Sequence, residues 1–562
     1  MKTLAWLVPF GCTLLTAATL LWAVSRGLDL TDEGFYLIHL TFPDRYPTLY
    51  GFGNIYQSAL GWCCENVLHW RFAKLLQGLL GGIIFAVSLM KVVEVKPALP
   101  TFWALLGMNF VSFALYLQTI SYNDLNNFLA ILLSACLLLG AKAQSKQTLF
   151  LALVGAGLCL GINFFNKATA SVALLGWSAV FLIANYYARI WPQQTHLRWQ
   201  FLALIAGLFL GFGVFFAFIK PFNIWYADYA GGLAASSQYM EPAWVWVGNY
   251  LKYLVRAVGF VVVLTLPWWV VGRAKKYKNA AIVLATLWTL AGVYETQLIL
   301  GGEKAFSKLS LVYLSVIFLQ IIAIRARLEA QKTEWRFFLD RNKQVLFVAT
   351  FLFVVPFACS LGSTNSLTRQ ASFHLVFWGG VVVLLNSLNN NWRWISSVLS
   401  VLVLVQITTG TLNPYAASAI VNPKHPVTLQ MQTAETNNIP ELKGILLDSV
   451  TAASLTHLRQ ITDSLGFKNA IFYDLPALNY LTNTVSPGTD WFFFLYESHN
   501  CYVISRIDPS SRPLLSVLNH RQPGEKTLQC LAEKNVVIQK YRLAASLPLP
   551  TQADTLRVLA PQ

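Results

Sequence analysis

Over the first 410 residues, long apolar runs alternate with short polar breaks. A helix crossing a bilayer needs about 20 mostly apolar residues. Runs of that kind fall near 4–24, 72–91, 99–117, 125–141, 148–165, 172–188, 201–219, 255–272, 280–300, 309–324, 345–361, 373–387 and 394–410. They predict a polytopic α-helical membrane protein of about 13 spans. The first run has no clear small-x-small cleavage site and is long enough to span, so it predicts an anchor rather than a removable leader. From 411 onward the runs shorten and polar residues return. "GILLDSV" (444–450), "AIFYDL" (470–475), "WFFFLYE" (491–497) and "VVIQKYRL" (536–543) read as strands. "TAASLTHLRQITDSLG" (451–466) reads as a helix with a glycine stop. The division is therefore a transmembrane domain, 1–410, and a soluble C-terminal α/β domain, 411–562.

Charge assigns the sides. The chain is only 12% charged, about half the share usual in soluble domains. Of its 41 Lys and Arg, 29 lie in residues 1–410, against 14 of its 25 Asp and Glu. With the N-terminus in the cytoplasm and the runs alternating, inner loops hold 18 Lys and Arg against 4 acids, and outer loops 11 against 10. That bias is the positive-inside rule. It accounts for the net charge of +16 without nucleic acid as a partner. An odd number of spans puts the C-terminal domain outside. Cys501 and Cys530, the only cysteine pair in that domain, could then form a disulfide.

On the outer side, residues 25–71 form a long first loop. Amphipathic pieces alternate there with turn signals, a pattern suited to helices lying along the interface. It opens with "DLTDEGFYL", which carries Asp29, Asp32 and Glu33. "QTISYNDLNNF" sets Asp124 at the outer start of the fourth run, and "GINFFNKATAS" sets Lys167 at the outer end of the fifth. Arg71 and Lys74 stand at the outer start of the second. Acids beside cations at one membrane face suit a site that holds a phosphate and activates a nucleophile. His39 or His69 could join the acids around a metal.

The order of these features resembles the GT-C superfamily of membrane glycosyltransferases. The likeness covers roughly residues 1–320 and is nearest the bacterial branch of protein O-mannosyltransferases and aminoarabinose transferases. It rests on a first span, an Asp-Glu pair in a long outer loop, an acid starting the fourth span and a G-x-x-x-x-x-K ending the fifth. It implies transfer of a sugar from a polyprenyl-phosphate donor to a lipid, glycan or protein acceptor, with inversion, at the outer face of the cytoplasmic membrane. It implies Asp32 as base, Glu33 as its neighbour or a metal ligand, and Asp124 as a second acid orienting acceptor or metal. Lys167, helped by Arg71, would hold the donor phosphate. A divalent metal is a possible cofactor under this resemblance, with Glu33 and Asp124 as its ligands. Two other readings stand beside it: a transporter or flippase of lipid-linked glycans, and a non-catalytic envelope scaffold.

Overall fold

The structure, a computed structural model, describes residues 4–93, 98–115, 118–191, 195–238, 243–273, 278–295, 302–363, 365–388, 395–412, 428–436, 438–493, 496–508, 512–550 and 554–562. Among these, nine helices are long and apolar enough to cross a membrane, and two shorter apolar helices, Leu99–Phe113 and Ile395–Thr409, accompany them. The two counts differ in how the runs fall on the helices. The runs at 148–165 and 172–188 are two helical segments within Lys146–Ala188 that meet at a kink at Lys167, where φ is −152° and ψ 83°. The bend is sharp enough for Ser171 Oγ to donate to Leu160 O, eleven residues earlier, at 2.7 Å. The run at 280–300 lies partly in the helix Lys278–Glu295, with 296–300 outside the described residues.

Small residues set the closest helix approach. Gly157 and Gly161 face Gly207 and Gly211 of the helix Leu197–Val214, and a Cβ on any of the four would overlap the partner backbone. Without a hydrophobic drive between helices in lipid, such backbone proximity supplies van der Waals packing.

The C-terminal part is a small α/β unit. Its four-stranded sheet runs in the order Ala470–Phe472, Leu514–Leu518, Asp554–Pro561, Tyr541–Leu549. The first pair is parallel and the other two are antiparallel. The expected helix forms as Ser449–Leu465 and stops at Gly466, whose φ of 65° is left-handed. Among the described residues of the expected strand at 491–497, none is in a strand, and 494–495 lie outside them. Phe493 N instead binds Asn500 Oδ1 at 3.2 Å, and the chain enters the helix Glu497–Ile504. Residues 444–450 supply only a two-residue strand, Leu446–Leu447. Cys501 and Cys530 are bonded, joining Glu497–Ile504 to the helix Glu525–Glu533. The boundary expected near 411 falls beside residues 413–427, outside the described residues.

This unit docks directly on the first long loop. Leu446 N donates to Ser25 O at 2.7 Å, and Gly27 N to Leu446 O at 2.9 Å. Ala477 N donates to Leu30 O at 3.1 Å, and a Cβ at Gly34 would overlap the Ala477 backbone. His39 Nε2 and Asp490 Oδ2 lie 2.6 Å apart.

Candidate active site

Between the docked unit and the helical bundle lies a cavity of about 550 Å³. Its floor comes from the helix Asp32–Thr41 and from Tyr122, at the start of the helix Tyr122–Ala141. One side is the stretch Tyr46–Tyr50, another the C-terminal turn of Phe222–Ser236, and a third the short helix Leu367–Ala371. Asp490, Trp491, His499 and Arg506 form the roof.

The helix Asp32–Thr41 fixes the acids. Asp29 Oδ1 accepts from Thr31 N at 2.9 Å and from Thr31 Oγ1 at 2.7 Å, which anchors the turn entering the helix. Burial, then the Asp32 charge, raises the Asp29 carboxyl well above the usual range, against the Thr31 hydrogen bonds. Successive residues on a helix point about 100° apart. Asp32 therefore lines the cavity while Glu33 turns inward. Glu33 is 1% exposed. Arg71 Nε and Nη2 donate to its two oxygens at 2.8 Å each, and Thr119 Oγ1 donates to Oε1. Asp29 N adds a bond to Oε2 at 3.1 Å. Burial pushes this carboxyl up, but the Arg71 charge and these hydrogen bonds outweigh it and hold it below its ordinary value. Arg71 spends its other N–H groups on the carbonyls of Val24, Arg26 and Gly27.

Asp124 is similarly engaged. Its Oδ2 accepts from Ser121 N at 2.9 Å and Ser121 Oγ at 2.6 Å, closing a capping box, and Lys74 Nζ lies 3.3 Å away. Lys167 Nζ donates to Cys359 O at 2.9 Å and to Gln370 Oε1 at 3.4 Å, and sits 5.9 Å from the Tyr122 ring centroid. Tyr122 thus stands between Lys167 and the open space. A chain of buried amides continues inward: Asn166 to Asn163, Asn163 to Asn126, and Asn126 to Cys359 O. Such networks satisfy polar groups that lipid cannot.

Of the five residues expected to act directly, only Asp32 lines the cavity; Glu33, Asp124, Lys167 and Arg71 form a shell behind its wall. Two arginines line the cavity, Arg506 in the roof and, in a five-residue helix of the bundle, Arg369. The sequence signal of Arg369, "NSLTRQ", is a single Arg between two apolar runs. The expected metal ligands do not fit a divalent ion. The carboxylates of Glu33 and Asp124 are already engaged by Arg71 and Lys74, and no group of three His, Cys, Asp or Glu among the described residues could hold one. His39 pairs with Asp490, and His69 Nδ1 accepts from Glu65 N at 3.2 Å.

Aromatic rings supply part of the remaining lining. Tyr50 stacks on Tyr122 with centroids 4.6 Å apart and planes 15° apart. Phe35 meets Trp491 of the roof at 6.0 Å. Burial raises the phenols of Tyr36, Tyr46 and Tyr50, so they remain protonated donors. Lys220 clamps one wall, pairing with Asp44 of the first loop at 2.7 Å and with Asp228 of Phe222–Ser236. His499 Nδ1 lies 3.2 Å from Ala235 O, tying roof to wall.

No family model matches this chain, and no curated protein matches it. Solved structures do. The chain is similar to an Archaeoglobus fulgidus oligosaccharyltransferase in complex with zinc and sulfate, at 11% identity and a TM-score of 0.43, over 89% of this chain and 67% of that one. It is also similar to ArnT from Cupriavidus metallidurans bound to undecaprenyl phosphate, at 13% identity and a TM-score of 0.31, over 97% of each chain. The apo form of that ArnT gives 14% identity and the same TM-score, over 99% of this chain and 98% of that one. Likeness at this level assigns neither residues nor a reaction.

Proposed function

We propose that this chain is a GT-C-type glycosyltransferase of the cytoplasmic membrane, moving a sugar from a polyprenyl-phosphate donor to an acceptor at the outer face. The observation that carries the reading is one cavity, at one end of an apolar helical bundle, lined by both a carboxylate, Asp32, and a cation, Arg369, among aromatic rings. Asp32 takes the proton of the acceptor hydroxyl or amine as that atom attacks the anomeric carbon. The bond from that carbon to the phosphate oxygen breaks, and polyprenyl phosphate leaves with the bonding pair. Arg369 offsets the charge gathering on the leaving phosphate. Direct displacement inverts the anomeric centre. The aromatic lining gives sugar rings faces to pack on and excludes water. Glu33, Arg71, Asp124 and Lys167 are positioning residues in this account: the first three hold the helix starts from which Asp32 and Tyr122 reach the cavity, and Lys167 ties its kink to Cys359 O and Gln370.

The test is mass spectrometry of envelope glycolipids, glycans and glycoproteins. It compares a deletion strain complemented with wild type or with Asp32→Asn at matched expression. A sugar mass missing from both the deletion and the variant supports the reading and identifies the acceptor. Full restoration by Asp32→Asn overturns it and favours transport or a scaffold.

A further inference from the structure

At the end of the bundle away from the cavity, two apolar grooves of about 360 and 380 Å³ lie side by side. Position follows from the helices. The cavity-side end of Lys343–Ser360 carries Cys359, whose carbonyl receives Lys167, and 18 residues of helix span about 27 Å to Lys343. The first groove is walled by Trp177 and Phe181, the second by Ile317, Ile321 and Leu385. Leu339, Leu346 and Thr350 border both, so one ridge divides them. Lys343 and Thr350 are the only polar side chains in either lining.

The rim above that ridge is basic. The exposed helix Trp335–Arg341 supplies Trp335, Phe338 and Leu339 to the grooves and carries Arg336 and Arg341. Trp335 and Phe338 of this helix stack 10° from parallel and both line the second groove. Lys343 Nζ donates to Arg189 O at 3.2 Å, at the end of Lys146–Ala188, which leaves an ammonium held at the mouth of the first groove. From Arg325 to Lys343 there are six Lys and Arg against three acids, Glu329, Glu334 and Asp340. One of those acids is already paired, with Arg325, at 3.0 Å.

We propose that this end of the bundle is a binding site for one anionic phospholipid, its two acyl chains in the two grooves and its headgroup on Lys343, Arg341 and Arg336. The occupant follows from the shape and the charge together. Two greasy channels parted by a single ridge match two chains joined at one head, and a cationic rim selects a negative head. Lys and Arg next to a membrane surface each raise affinity for anionic lipid by about fivefold, and basic pockets between spans bind anionic headgroups. This site is independent of the reaction proposed above.

The experiment is native mass spectrometry of the purified full-length protein. The protein is equilibrated in detergent with an equimolar mixture of phosphatidylglycerol and phosphatidylcholine. Wild type should retain one phosphatidylglycerol in preference to phosphatidylcholine. Lys343→Gln with Arg341→Gln should lower that retention more than tenfold. Arg325→Gln, at a residue paired with Glu329 and outside both grooves, should leave it unchanged. All three side chains are exposed, so folding is not at stake. Equal retention of the two lipids overturns the proposal. So does an equal loss in the Arg325→Gln control, or a co-purified polyprenyl phosphate that resists exchange and is displaced by the Lys343 and Arg341 changes.

Discussion

The cavity wall and the shell just behind it use the same residue types in opposite ways. In the shell, carboxylate and cation satisfy each other: Glu33 with Arg71, and Asp124 with Lys74, all nine-tenths or more buried. At the wall, Asp32 and Arg369 come from different parts of the chain and border one open space. Burying two charges is costly, and their attraction repays the cost only when geometry is good and every remaining donor is used. The shell meets that condition, with four donors on Glu33 alone, counting both Arg71 nitrogens, Thr119 and Asp29 N. The oxygens of its carboxylates are thereby engaged by groups of the chain itself. The wall carboxylate differs in position: it borders the open space that an acceptor would enter. Adjacent acids in one tripeptide can thus serve structure and chemistry separately.

The largest expected effect is at the wall. Asp32→Asn should cut sugar transfer by about 10²- to 10⁴-fold while leaving the unfolding temperature in detergent near that of wild type. A large loss of stability would move Asp32 into the shell. Next come the shell pairs. Glu33→Gln or Arg71→Met strands a buried partner and should cost about 3–5 kcal/mol of stability, read as lost folded protein in thermal unfolding. The molecules that do fold should keep turnover. Third, Arg369→Gln removes a charge-assisted contact worth about 1.5–3 kcal/mol. It should lower kcat/KM for the polyprenyl-phosphate donor about 10- to 100-fold, chiefly through kcat, read from initial rates. An unchanged kcat/KM would return the phosphate role to Lys167.

The smallest effect concerns the roof. Burial works against the Asp490 charge, but the hydrogen bond and charge of His39 outweigh it and hold this carboxyl below its usual range. A group depressed in the folded state stabilises above its unfolded value, about 3.9 for Asp. That contribution disappears as pH falls through the lower folded value. Hydrogen exchange in residues 30–41 and 477–492 should therefore quicken below about pH 4. Asp490→Asn should quicken it at neutral pH and flatten the acid response. An exchange profile identical to wild type would mean the roof is held by its backbone bonds alone.

Much of the architecture was legible because membrane helices announce themselves by length. Among the described residues, each of the thirteen apolar runs overlaps a helix. The crossing count was less legible, because two of the runs lie in short helices, Leu99–Phe113 and Ile395–Thr409. In the C-terminal unit, "LLSVL" at 514–518 is five apolar or small residues with no alternation, so its strand was missed. "WFFFLYE" has strand composition but is pinned locally by Asn500. Among candidate site residues, the sequence brought Asp32 and Glu33 forward together. It could not part them, because the deciding partner, Arg71, is 38 residues away. Arg369 escaped notice because a lone Arg in a short loop has no motif around it. The roof was out of reach too: His39 and Asp490 are 451 residues apart.

One measurement bears most directly on the division between wall and shell. It is transferred sugar per folded molecule, quantified by mass spectrometry, for Asp32→Asn and Glu33→Gln purified side by side with wild type. The account predicts a well-folded Asp32→Asn with almost no transfer, and a scarce Glu33→Gln whose folded fraction turns over near the wild-type rate. Wild-type transfer by Asp32→Asn would contradict it, as would a fully folded, inactive Glu33→Gln.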